Sequence, residues 1–159
     1  MSLFIFQSRC ISVSNLFIRS YPINTREEMN RLASNDELIC QKFAKIIGGQ
    51  EGFAGGKCVA TISRNEIKVK ILGERFRVTS SFSFESRDNQ TGRALCLGRV
   101  ALLQKEVENF VASILKQGII VSSVHNEWLF DNPNLIYVNI EAVDDPLVFA
   151  RKVRKALRN

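Results

Sequence analysis

Gln104-Lys-Glu-Val-Glu-Asn-Phe-Val-Ala-Ser-Ile-Leu-Lys-Gln117 is the stretch whose periodicity decides the fold. Val107, Phe110, Val111, Ile114 and Leu115 recur at three- and four-residue steps, so a helix over 104–117 carries one apolar stripe. Gly118 stops it, since glycine takes the left-handed position after a last turn without steric penalty. On either side the rhythm changes. Residues 93–103 and 119–125 read as strands, with Gly98 a candidate bulge in the first. After a loop over 126–134, a further strand over 135–143 alternates Ile136, Val138 and Ile140 with Tyr137, Asn139 and Glu141. The first set is a core face and the second a polar patch. Asp145-Pro146 then opens a final helix over 146–157: aspartate caps, and proline tolerates the first helical position. Leu147, Ala150, Val153 and Leu157 are its buried stripe.

The order from Arg93 is therefore β-α-β-β-α, which predicts an α+β fold. An antiparallel or mixed sheet with helices on one face is expected, in the ferredoxin-like split βαβ arrangement. The apolar stripes of the last two helices need a common surface, and Ile136, Val138 and Ile140 supply it.

Upstream, Thr25-Arg-Glu-Glu28 has the form of a capping box, so a helix follows, with a restart at Asn35. Over 36–47, Leu38, Ile39, Phe43, Ile46 and Ile47 share one face, and Gly48-Gly49 ends the run. Strands are expected over 57–62, 67–71 and 76–84; in the second, Lys68 and Lys70 alternate with Ile67, Val69 and Ile71. Gly73 marks a turn and 88–92 a polar loop. Residues 1–24 read as a leader or a pair of short strands. Leu3-Phe-Ile-Phe6 and Leu16-Phe-Ile18 fall far short of the roughly 20 apolar residues that a bilayer span needs. No membrane span and no secretion signal are expected, and 25–159 is expected to form a single domain.

With 159 residues and 45% hydrophobic content, the chain is long enough to bury its own core. The net charge of +6 permits weak attraction to anions without naming a partner. Cys10, Cys40, Cys58 and Cys96 form no CxxC pair, and a single histidine completes no Cys/His cluster, which argues against structural zinc. Reduced thiols acting as small core residues are expected, and with them a cytoplasmic location. The basic last helix (Arg151, Lys152, Arg154, Lys155, Arg158) comes without an aromatic platform. It reads as a solvated face, and no nucleic acid partner is expected. The glycines at 48–49 and 52–56 precede no Gly-Lys-Ser/Thr, so they are turns.

The chain's only histidine and only tryptophan, His125 and Trp128, stand three residues apart in Val121-Ser-Ser-Val-His-Asn-Glu-Trp-Leu-Phe130. Simple alternation puts Val121, Ser123 and His125 on one face of their strand and Ser122 and Val124 on the other. Pairing with the following strand would bring His125 or Glu127 over the patch of Tyr137, Asn139 and Glu141. The candidate ligand-binding residues are therefore His125, Asn126, Glu127, Trp128, Tyr137, Asn139 and Glu141. His125 and Glu127 are also candidate ligands for a divalent metal, imidazole and carboxylate both being donors. Against this stands a plain reading in which His125 and Asn126 satisfy backbone groups and Trp128 fills an apolar edge. An enzymatic alternative is a hydrolase with His125 as general base, Glu127 or Glu141 as its partner, and Ser122, Ser123 or Cys96 nearby.

Several blocks carry a family resemblance: Cys40-Gln-Lys-Phe-Ala-Lys-Ile-Ile-Gly-Gly49, Phe82-Ser-Phe-Glu85, Gly92-Arg-Ala-Leu-Cys-Leu-Gly98, Gly118-Ile-Ile-Val121, His125-Asn126, Trp128-Leu-Phe-Asp131, Tyr137 and Pro146-Leu-Val-Phe-Ala-Arg-Lys-Val153. Together, over 38–158, they resemble the LppY/LpqO family, which has no established activity. The resemblance implies a His-Asn-His-Trp turn and a further histidine on the next strand, a trio suited to metal or acid–base chemistry. Here Glu127 and Asn139 stand at the second and third positions, and Arg99 stands where the family looks acidic. A cation- or small-ligand-binding module with a degenerate histidine site is the function this implies, with weaker divalent-metal binding than in relatives. The resemblance also implies tandem domain copies, of which this chain has one. Trp128, Leu129 and Phe130 would then either meet a second molecule in a homodimer or fold back onto their own core.

Overall fold

The computed structural model describes residues 26–129 and 131–158; the expected leader over 1–24, the Thr25 cap and Phe130 lie outside the described residues. In chain order the elements are α1 (Arg26–Ile47), β1 (Gln50–Ala54), β2 (Lys57–Ser63), β3 (Val69–Ile71), β4 (Glu74–Phe76), β5 (Thr79–Glu85), β6 (Ala94–Leu103), α2 (Gln104–Lys116), β7 (Ile120–Asn126), β8 (Asp131–Asn132), β9 (Leu135–Asp144) and α3 (Pro146–Ala156). α1 runs without a break, so the restart expected at Asn35 does not occur.

A six-stranded sheet has the order β1-β2-β5-β6-β9-β7, and every neighbouring pair is antiparallel. β6 and β7 both pair with β9 and so run parallel to each other, with α2 as their crossover. That is the split βαβ arrangement, and the α+β expectation holds. All three helices send apolar side chains into one core on one face of this sheet: Phe43 and Ile47 from α1, Phe110 and Ile114 from α2, Phe149 and Val153 from α3. Phe43 sits at the centre, edge-on to Phe84 at 5.3 Å and stacked with Phe149 at 6.5 Å. The start of α2 is tied to the sheet by Glu106, which accepts from the Leu103 N–H at 2.8 Å and from Arg64 Nη2 at 2.9 Å. Burial pushes the Glu106 carboxyl up, but Arg64 and the Leu103 N–H outweigh it and hold it below the usual range.

Four sequence expectations need correction. Gly98 is not a bulge: it sits in a regular ladder, and a Cβ there would lie 2.7 Å from Ile140 Cγ1 and 2.9 Å from Phe82 Cδ1. Glycine is needed because two large side chains close over the backbone. The strand read over 76–84 is two strands, because Val78 buries itself in a second apolar cluster as the chain crosses between sheets. The glycines at 52–56 are not all turn residues: Gly52 lies inside β1 and pairs with Val59, and Gly55-Gly56 make the turn. Finally, Cys40 and Cys58 are joined in a disulfide between α1 and β2, so the expectation of reduced thiols fails for this pair. Their spacing of 18 residues hid the contact, which depends on α1 packing across β2. The disulfide also removes the thiol argument for a reducing compartment.

The second cluster explains the asymmetry of the molecule. β4-β3-β8 form a small antiparallel sheet that lies over one end of the helix-free face. Ile67, Val69 and Val78 pack there against Ala101, Leu135 and Tyr137, with Phe76 and Trp128 at the border. Tyr137, read as part of a polar patch, is consequently 1% exposed. The rest of that face stays open.

Candidate functional site

Strand register assembles the open face. Ser81 on β5 pairs with Arg99 on β6, Arg99 with Asn139 on β9, and Asn139 with Ser123 on β7. Four polar side chains thus cross four strands in one row. One step along, Ser83, Leu97, Glu141 and Ile120 make a second row. The β5, β6 and β9 members of both rows, with Ser122 of β7, line a shallow shelf of about 250 Å³.

A β-bulge between Val121 and Ser123 is what delivers Ser123 to this face. Val121 pairs with Ile140 on the core side, yet Ser123 pairs with Asn139 on the open side. Simple alternation had put Val121 and Ser123 on one face; the extra residue, Ser122, breaks it. Sequence alone offered only the polar Ser-Ser step as a hint.

Around the row the contacts are specific. Asn139 Nδ2 donates to Ser123 Oγ at 2.9 Å, and Ser123 Oγ lies 3.3 Å from His125 Nδ1. The imidazole is stacked 6.2 Å from the Tyr137 ring, centroid to centroid. Arg99 places its guanidinium carbon 4.2 Å from the centre of the same Tyr137 ring and forms an ion pair with Glu127. Ser122 Oγ donates to the Asn139 carbonyl at 3.3 Å. Of the residues expected at the site, Asn139 and Glu141 line the shelf, His125 touches it through Ser123, Tyr137 is buried beneath Arg99, and Glu127 reaches it through Arg99. Asn126 turns away to donate to Asn134 Oδ1 in the loop. Trp128 packs edge-on against Phe76 at 5.7 Å, and its buried Nε1 finds no acceptor among the described residues.

Cys96 belongs to the other side. It is buried in the helix-covered core, where burial pushes its thiol up to about 12, so it offers no thiolate to His125. Ser81 and Ser83 went unnoticed in the sequence, although their alternation with Phe82 and Phe84 marked a strand with one polar face.

The chemistry follows from the charges. Arg99 and Glu127 meet each other: the guanidinium cancels the carboxylate nearest His125 in sequence. Among the described residues, no three His, Cys, Asp or Glu side chains converge as a metal group. Hydroxyl, amide and guanidinium donors dominate the row, and these recognise oxygen-rich ligands.

Split βαβ topology, a helix-covered sheet and an opposite polar face half-roofed by a small sheet define an α+β domain with a surface shelf. Residues 41–159 match the family model described as Domain of Unknown Function (DUF1259), and the chain belongs to that family. No curated protein and no solved structure matches it. No helix among the described residues is long and apolar enough to cross a membrane.

Proposed function

We propose that the open face is a binding shelf for a small ligand bearing a carboxylate or several hydroxyls. The carrying observation is the register-built row Ser81–Arg99–Asn139–Ser123. Arg99 is held in place by Glu127 and the Tyr137 ring, so its remaining N–H donors face the ligand with little ordering cost. The likeness to the LppY/LpqO family fits this reading as a site whose histidine set has been replaced. A divalent metal at His125 and Glu127 would have to displace Arg99 from its carboxylate, so weak metal binding is expected. Calorimetric titration with a panel of small carboxylates and monosaccharides tests the proposal. At least one should bind, and Arg99→Leu or Asn139→Leu should lower its affinity at least about tenfold, the loss of one well-made polar contact to a charged group. A ligand that binds both variants as it binds the parent chain, or a panel without a binder, sinks it.

The Ser123–His125 contact favours a second reading, a hydrolase with His125 as general base. What speaks against it is that among the described residues no carboxylate hydrogen-bonds the His125 ring to orient it; Asn139 lies on the Ser123 side of the chain. Turnover of activated esters that Ser123→Ala abolishes would establish it.

A further inference from the structure

The two-residue turn between β3 and β4 is Leu72-Gly73, and both residues have positive φ, 51° and 89°. Turns of this kind favour asparagine or aspartate followed by glycine, whose side chains or lack of one tolerate the left-handed region. Leucine there is strained, and it is also 77% exposed. Leu129, at 92%, is the most exposed large apolar residue among those described. β8 begins at Asp131, which pairs with Ile71, the residue before Leu72, so both leucines leave the small sheet at the same end.

Behind this apolar tip stands a block of cations. Lys70 is directly opposite Arg75, and Lys68 and Arg77 flank the same strand pair just beyond its last paired residues, Val69 and Phe76. All four are exposed and line a cleft of about 750 Å³. Like charges facing each other across a strand pair destabilise it unless an anion lies between them. Among the described residues no carboxylate is within ion-pair distance of any of the four. The acidic groups around them are Glu74, exposed opposite Ile71, Asp131, whose Oδ2 is taken by the Leu135 N–H at 2.7 Å, and Glu66, which is paired with Arg64 and also feels Lys68, whose ammonium donates to the Asn65 carbonyl at 2.8 Å. At about 3.3 Å per residue, Lys70 and Arg75 lie roughly 7 Å behind Leu72, and Lys68 and Arg77 roughly 13 Å.

We infer that this end of the small sheet docks on an anionic lipid surface, with Leu72 and Leu129 in the acyl boundary and Lys70 and Arg75 at the phosphates. The spacing suits the occupant, because long basic side chains reach forward to a headgroup layer while their stems lie along the apolar tip. A soluble polyanion would leave the leucines without a partner. A protein partner would need a far larger apolar area than two side chains, since stable interfaces bury roughly 1,200–2,000 Å². An apolar insertion and a basic patch are each weak alone and together suffice for reversible attachment.

Co-sedimentation of the full chain with extruded vesicles tests this. Binding is expected to phosphatidylcholine containing about 30% phosphatidylglycerol and not to phosphatidylcholine alone, with release as salt rises and the Debye length falls to about 3 Å near 1 M. Lys70→Glu/Arg75→Glu should abolish it, and Glu74→Gln should strengthen it a few-fold. Leu72→Asn/Leu129→Ser should weaken it at least about tenfold by removing apolar burial. The same Leu72→Asn change should raise the melting temperature, which separates lost docking from lost folding. Equal binding to both vesicle types overturns the inference, as does a leucine variant that binds like the parent chain. So does light scattering that shows the leucines holding a dimer together instead.

Discussion

The two faces of the six-stranded sheet are built from the same strands and differ in almost everything else. Toward the helices, β5 presents Phe82 and Phe84, and β9 presents Val138 and Ile140, all essentially without exposure. Away from them, the same strands present Ser81, Ser83, Asn139 and Glu141, half-buried at most. A strand alternates its side chains, so a single register error would exchange the two sets. The helix side fixes that register by burial, and the open side inherits whatever arrangement results. The polar row is therefore positioned by contacts on the opposite surface. Stability and recognition are thereby separated, and substitutions on the open face should alter binding with little loss of fold.

The largest effect should come from Phe43→Ala, which empties the centre of the helix-side core between Phe84 and Phe149. A loss of about 3–5 kcal/mol is expected in urea denaturation. If open-face substitutions cost as much, the division between the faces fails.

Next in size is the Cys40–Cys58 bridge, which also lies on the helix side. Replacing both by alanine should cost about 3 kcal/mol, the entropy gained by the unfolded chain when a loop of this length is released. Mass spectrometry after alkylation checks the pairing itself: both thiols should label only after reduction and unfolding. A folded, unreduced chain that labels at Cys40 or Cys58 would remove the bridge.

The same contrast explains what could be read in advance. α2 and α3 were legible because an apolar stripe reports burial from the sequence of one element. The β-α-β-β-α order and the inward set Ile136, Val138 and Ile140 followed in the same way. Contacts between elements distant in sequence were not legible. The disulfide needs α1 to cross β2, and the burial of Tyr137 needs the small sheet to fold over β9. The site was legible in part. Strand pairing was expected to bring His125 or Glu127 over the patch that holds Asn139, with the register open; the bulge that sets Ser123 between His125 and Asn139 left no periodic trace. Arg99 and Glu127 were each visible as oddities, 28 positions apart, and only the fold shows that one answers the other.

That pair gives the smallest expected effect and the sharpest test of the contrast. Arg99 and Glu127 retain 43% and 30% side-chain exposure, so solvent screens most of their attraction. A double-mutant cycle with Arg99→Met and Glu127→Gln should return a coupling of no more than about 1 kcal/mol. Arg99→Met should cost slightly more than Glu127→Gln, because it also removes the guanidinium from above the Tyr137 ring, worth about 0.5–1 kcal/mol at such a site. Methionine keeps most of the aliphatic stem, so lost packing does not confuse the comparison. A coupling above about 2 kcal/mol would exceed what surface pairs supply and would make Arg99 a structural brace. It would then weaken the case for a ligand at the shelf, because a guanidinium committed to holding β6 against the β7 loop has less to offer a carboxylate. A small coupling leaves Arg99 positioned but not needed for the fold, which is the state a recognition residue requires.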